Sequence, residues 1–164
     1  MKKAAILTIA AMSLAFSAIP AKAQSLKQQL VGAWTFVSST TKLPDGSPVW
    51  GSNPKGLLVF AENGSYSSTI VRSDIPKFAA RDRSKGTPDE NKAVVSGSIA
   101  SIGTYSVDEA NKSFTVRFEA STYPNNTGTE QTRPFTISGD ELRITNPAPS
   151  VGGTPSQLVY KRAK

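Results

Sequence analysis

Ser113-Phe114-Thr115-Val116-Arg117-Phe118-Glu119-Ala120-Ser121 alternates with a period of two, and this stretch decides the fold class. Phe114, Val116, Phe118 and Ala120 fall on one face, and Ser113, Thr115, Arg117, Glu119 and Ser121 on the other. A helix would scatter these apolar residues around its circumference; a strand gathers them on one side. One buried and one wet face is the pattern of an antiparallel sheet.

The same signature recurs on either side. Trp34 to Thr40 alternates, with Trp34 and Phe36 sharing a face. Lys55 to Ala61 and Ser65 to Val71 read as strands joined by the hairpin turn Asn63-Gly64. Thr104 to Val107 precedes the opening stretch. Glu130 to Ser138, Glu141 to Asn146 and Gln157 to Arg162 follow it, with Gly139-Asp140 as one turn. Two places break the pattern. Ser25 caps a short helix over Leu26 to Leu30. Thr87-Pro88-Asp89-Glu90 supplies a threonine cap, proline at N1 and glutamate at N3, which predicts a helix from Pro88 to Ser98. The charged run from Asp74 to Lys85 precedes it, so a helical and loop insertion is expected around residues 74–99, with Pro76-Lys77-Phe78 as apolar contact for a lid. About eight strands joined by short turns give an all-β chain; an antiparallel barrel leaves no open edge, and a two-sheet sandwich shares the local pattern. Regular crossover helices are missing, which argues against a parallel α/β fold.

Residues 1–23 read as a signal peptide. Lys2-Lys3 is followed by an apolar run from Ala4 to Ile19, and Pro20-Ala21-Lys22-Ala23 places small residues where a signal peptidase reads. Removing 23 of 164 residues leaves 141, Gln24 to Lys164, enough for one domain. The expected location is the periplasm or the exterior, without stable membrane insertion after cleavage. Cysteine and histidine are both absent, which excludes disulfides, thiol chemistry and imidazole-based catalysis or metal binding. The net charge of +7 falls to +4 once Lys2, Lys3 and Lys22 are removed, and the remaining cations are scattered. No coherent basic face with stacking aromatics is present for nucleic acid. No metal and no bound cofactor is implied. Asp74, Asp82 and Asp89 read as solvated loop carboxylates.

Several segments in fixed order carry a resemblance. Leu30-Val31-Gly32-Ala33-Trp34-Thr35-Phe36-Val37-Ser38 contains Gly-x-Trp; Pro54-Lys55-Gly56-Leu57-Leu58-Val59-Phe60 and Asn63-Gly64-Ser65-Tyr66-Ser67 form a first hairpin. Gly103-Thr104-Tyr105-Ser106-Val107-Asp108-Glu109, the stretch Tyr123 to Arg133, then Phe135, Gly139-Asp140-Glu141-Leu142 and Gly152-Gly153 complete the series. From Leu30 to Arg162 the chain resembles the bacterial lipocalin-like domain family, departing from it at Val94 to Ala100. The resemblance implies a single lipocalin-like β-barrel over residues 24–164. It also implies a tryptophan, Trp34, packed against a basic side chain at the barrel end, for which Arg162 shares a strand face with Leu158 and Tyr160.

Strand parity places Arg133 with Phe135 and Ile137, which would turn it inward; a solvated arginine near the strand end is the alternative. An inward guanidinium needs a carboxylate, carbonyls or an anionic ligand, and Glu130, Tyr105 and Tyr66 are candidate partners. The expected ligand-binding residues are Tyr66, Tyr105, Arg133, Phe60 and Phe135, around a small apolar or amphipathic molecule. An isomerase or cyclase would instead use a buried carboxylate or tyrosine with arginine stabilisation, and a filled barrel would act through its surface. Arg133-Pro134 also points to an edge position, since proline offers no N–H to a neighbouring strand.

Overall fold

A capping box opens the first described helix: the Ser25 hydroxyl accepts from the Gln28 N–H, and the Gln28 side chain accepts from the Ser25 N–H, both at 3.1 Å. The resulting helix α1 (Leu26–Leu30) is too short to stand alone. Glu109 holds it, its carboxylate accepting the Leu26 and Lys27 N–H groups at 2.8 and 3.0 Å. Gly32, with φ of 128°, then swings the chain into the first strand. These details come from a computed structural model that describes residues 24–164; the expected signal peptide lies outside the described residues.

Eight strands follow: β1 (Gly32–Ser39), β2 (Lys55–Phe60), β3 (Ser65–Val71), β4 (Ser98–Asp108), β5 (Ser113–Ser121), β6 (Glu130–Ser138), β7 (Glu141–Asn146) and β8 (Ser156–Arg162). Each pairs antiparallel with the next, and β8 returns to β1 to close the barrel. A barrel, rather than a sandwich, is what forms. Short turns at 61–64, 109–112 and 139–140 lie with α1 at one end. The longer segments 40–54, 72–97, 122–129 and 147–155 lie at the other.

The short-turn end is plugged by Trp34. Its ring is fully buried, and its indole N–H donates to Leu30 O at 2.8 Å. The Arg162 guanidinium sits 4.1 Å from the ring centroid and donates to Gln29 O and Val31 O at 2.7 and 3.2 Å. The expected partnership of Trp34 with Arg162 is therefore present, with the orphan carbonyls of α1 as its acceptors. Above the plug the interior fills with rings. Phe60 meets Tyr105, Phe114 and Tyr66 edge-on at centroid distances of 4.9, 5.0 and 5.7 Å. Phe114 continues to Phe135 at 5.7 Å.

The opening stretch forms β5 as expected, but its alternation fails at the upper end. Gly103 pairs with Phe118 and Ile102 with Ala120, so Glu119 is an extra, bulged residue. Beyond it the faces exchange. Ala120 is exposed rather than inward, and the Ser121 hydroxyl lies 2.9 Å from that of Ser101. Ser113, expected outside, is buried at the lower end. Gly103 permits the bulge: a Cβ there would overlap the Arg117 carbonyl oxygen and sit 3.1 Å from Glu119 N.

The insertion occupies 72–97 and contains helix α2 (Pro88–Gly97), capped as expected by Thr87 and Glu90. β4 begins directly after it at Ser98, earlier than the residue pattern indicates. Glu90 also accepts the Ala79 N–H at 2.8 Å, which fastens the preceding loop to the helix. No residue of 72–97 lines the cavity at this end of the barrel. Phe78 packs inside the insertion, where a Cβ on Gly86 would lie 2.6 Å from Phe78 Cε1, and Val95 stays 78% exposed. Among the described residues no helix is long and apolar enough to cross a membrane.

Replacing Arg162 with Met removes the ring contact and both carbonyl bonds, and should cost about 2–3 kcal/mol in urea unfolding. A loss below about 0.5 kcal/mol would show that the plug does not depend on the guanidinium. In the insertion, the N–H groups of Ala79 and Thr87 hold the Glu90 carboxyl below its ordinary value. A group depressed in the folded state stabilises above its unfolded pKa and loses that effect as pH falls through the folded one. Amide exchange at Ala79 and Thr87 should accelerate, relative to barrel amides, as pH drops below about 4; unchanged relative protection would refute this tether.

Candidate ligand-binding site

Pro134 shapes the open end. The Phe135 N–H donates to Lys112 O at 2.9 Å on the β5 side, so the alternating backbone turns position 134 toward β7. Proline has no N–H to give there, and Phe135–Ile144 is the last pair of the β6–β7 ladder. Above it the two strands part. Gln131 Nε2 reaches across to Ala148 O at 3.4 Å. The expectation of an edge at Pro134 thus holds for half a strand inside a closed barrel.

The parted strands open a funnel whose base is polar. Tyr66 and Ser68 on β3, Ser101 on β4, Arg133 on β6 and Tyr160 on β8 line it, with Phe118 among them. Val49, Trp50, Pro149 and Val151, from the two loops flanking the mouth, form an apolar rim. The cavity they line has a volume of about 60 Å³. That is room for a few waters or a head group, and the body of a ligand would rest toward the mouth.

Arg133 is the one cation among the residues lining this funnel, and no carboxylate lines it among the described residues. Its Nε donates to Gln131 Oε1 at 2.6 Å, and its guanidinium carbon lies 5.9 Å from the Phe118 centroid. Neither Nη group has a hydrogen-bond partner among the described residues. Burial pushes the Tyr160 hydroxyl far above the ordinary phenol value; nearby Tyr66 acts in the same direction, while Arg133 and Ser68 offset part of it. Tyr160 is therefore a neutral hydrogen-bonding group rather than a base.

A family model described as the lipocalin-like domain matches residues 31–163. The chain belongs to the lipocalin-like domain family. No curated protein matches it. A lipocalin-like barrel suits the binding of small molecules at its open end, and in this lipocalin-like domain that end is where the funnel lies.

Two of the five expected ligand residues, Tyr66 and Arg133, line the funnel. The other three lie below it in the ring cluster. Phe60 and Phe135 are buried there, and the Tyr105 hydroxyl donates to Ala61 O at 2.9 Å near the plugged end. Burial, followed by the Glu62 charge, raises the Tyr105 pKa. Neither Tyr105 nor Glu130 serves as partner to Arg133; both border a shallow depression that also includes Arg117. Asp74 pairs with Arg72 at 2.6 Å and Asp82 with Lys85 at 3.5 Å, away from the funnel.

Sequence reading missed Ser68, Ser101, Tyr160 and Trp50. Parity already placed Ser68 with Tyr66, and Tyr160 with Leu158, whereas Ser101 fell outside the strand as read. Trp50 sits in a loop without any period to betray it.

Pro134→Thr would supply the missing donor and let the ladder reach Thr145. The added hydrogen bond, about 1 kcal/mol, is offset by greater freedom of the unfolded chain. Thermal stability should hold within about 0.5 kcal/mol while the amide at 134 becomes protected in hydrogen exchange. An unprotected amide there would show that something other than proline keeps β6 and β7 apart.

Proposed function

We propose that this protein is an exported binder of a small, partly apolar ligand seated in the funnel at the open end of the barrel. One observation carries the reading: the rings fill the barrel only in its lower part and leave, beneath an apolar rim, a chamber lined by hydroxyls and a single guanidinium. Apolar burial against Val49, Trp50 and Val151 supplies affinity; the polar base orients the molecule. Export is supported by Lys2-Lys3, the apolar run to Ile19 and the small residues ending at Ala23, and the compartment is the periplasm or the exterior. Less supports the isomerase or cyclase reading: no carboxylate lines the funnel among the described residues, and Tyr160 is held protonated.

Native mass spectrometry of protein taken from the envelope fraction without delipidation tests both parts. The expected species begins at Gln24 and carries an added mass that is lost on denaturation. Its removal should change the emission of the wild type and leave Trp50→Phe unchanged, because the remaining Trp34 is sealed in the plug. An uncleaved chain would refute export. A cleaved chain without added mass, whose Trp50 emission answers to no envelope extract, would refute the internal ligand.

A further inference from the structure

We propose that the ligand is a carboxylic acid with one negative charge, bound head-down with its carboxylate against the two Nη groups of Arg133. This rests on the internal-ligand reading above and assigns the chemical class it leaves open. A half-buried cation facing a small chamber is costly unless its donors are met. Nε is already committed to Gln131, and the Phe118 ring lies under the guanidinium. The fork is thereby held with its paired Nη donors left over, the arrangement that a planar carboxylate satisfies with two parallel bonds.

Charge count narrows the class. One guanidinium balances one negative charge, and no second cation lines the funnel among the described residues. A phosphate monoester, nearly doubly charged, would bring charge that nothing in the site answers. Size narrows it further. The chamber of about 60 Å³ takes the head group, so the tail must lie in the funnel against Leu158, Ile99, Trp50 and Val151. Tyr160, Tyr66 and Ser68 line the same cavity and offer hydroxyls to the carboxylate's remaining lone pairs. The class is therefore a monocarboxylic acid with a short to medium apolar tail.

Calorimetric titration of ligand-stripped mature protein with octanoate, octanamide and octyl phosphate at neutral pH tests this. Octanoate should bind roughly 10- to 100-fold more tightly than octanamide, the range expected for charge-assisted hydrogen bonds, and more tightly than octyl phosphate. Arg133→Gln should erase the preference for octanoate over octanamide, with wild-type circular dichroism and thermal unfolding showing its fold intact; Arg133→Lys should keep part of the preference. Equal binding of octanoate and octanamide would overturn the acid assignment and leave the internal-ligand reading standing. Octyl phosphate binding as tightly as octanoate would overturn the single-charge argument. If none of the three binds, the acid assignment fails. The added mass on envelope-purified protein then decides separately whether the internal-ligand reading falls with it.

Discussion

The Arg162 guanidinium, pressed on the Trp34 ring and bonded to Gln29 O and Val31 O, is the contact on which the barrel's geometry depends. It ties three elements together at one point: a five-residue helix, the first strand and the last. A lone cation would be expensive at this depth. Here it is met by the ring and by the unpaired carbonyls of a helix C-terminus, the end that carries partial negative charge. No carboxylate is required. With this end sealed, the Trp34 to Arg162 register is fixed, and the alternate residues of β1 and β8 can deliver Phe36 and Tyr160 to the interior, 5.3 Å apart.

Two arginines thus point into one barrel and differ in what answers them. Arg162 has a ring and two carbonyls. Arg133 has a side-chain amide and a more distant ring, with its paired donors left to the funnel. Structural arginines satisfy themselves from the chain, whereas an arginine that does not is paired by solvent or by something bound. The contrast carries more weight than the location of either residue, because both lie on inward strand faces of the same fold.

Much of this was legible in the residues. Alternation in β5, β6, β7 and β8 named the inward faces, and the turns Asn63-Gly64 and Gly139-Asp140 set the strand ends. The capping residues Thr87 and Glu90 located α2. Legibility ended where a strand's behaviour is set by its neighbour. Glu119 bulges because β4 offers Gly103 opposite Phe118, a fact about pairing that β5 alone does not hold, and so Ala120 and Ser121 were assigned to the wrong faces. β4 was read short because its first residues, Ser98-Ile99-Ala100-Ser101, follow a helix without a turn and mix small polar with apolar residues. The funnel rim was illegible for a different reason: Val49, Trp50 and Val151 come from loops, where burial follows no period. Phe60, Tyr105 and Phe135 show the limit of parity itself, which tells inside from outside but not the height along the barrel at which the core stops and the funnel starts.

The plug has a consequence in time as well as in space. Its partners are separated by 131 and 133 positions along the chain, so the seam between β1 and β8 is the longest-range pairing in the molecule and the last that synthesis makes available. Closing so large a loop is slow, and nothing shorter can substitute for it. Until residue 162 has emerged, Trp34 lacks its cation and the first strand lacks one neighbour. A nascent chain of this protein therefore cannot close its barrel until nearly the whole of it has been made, even though its hairpins are complete much earlier.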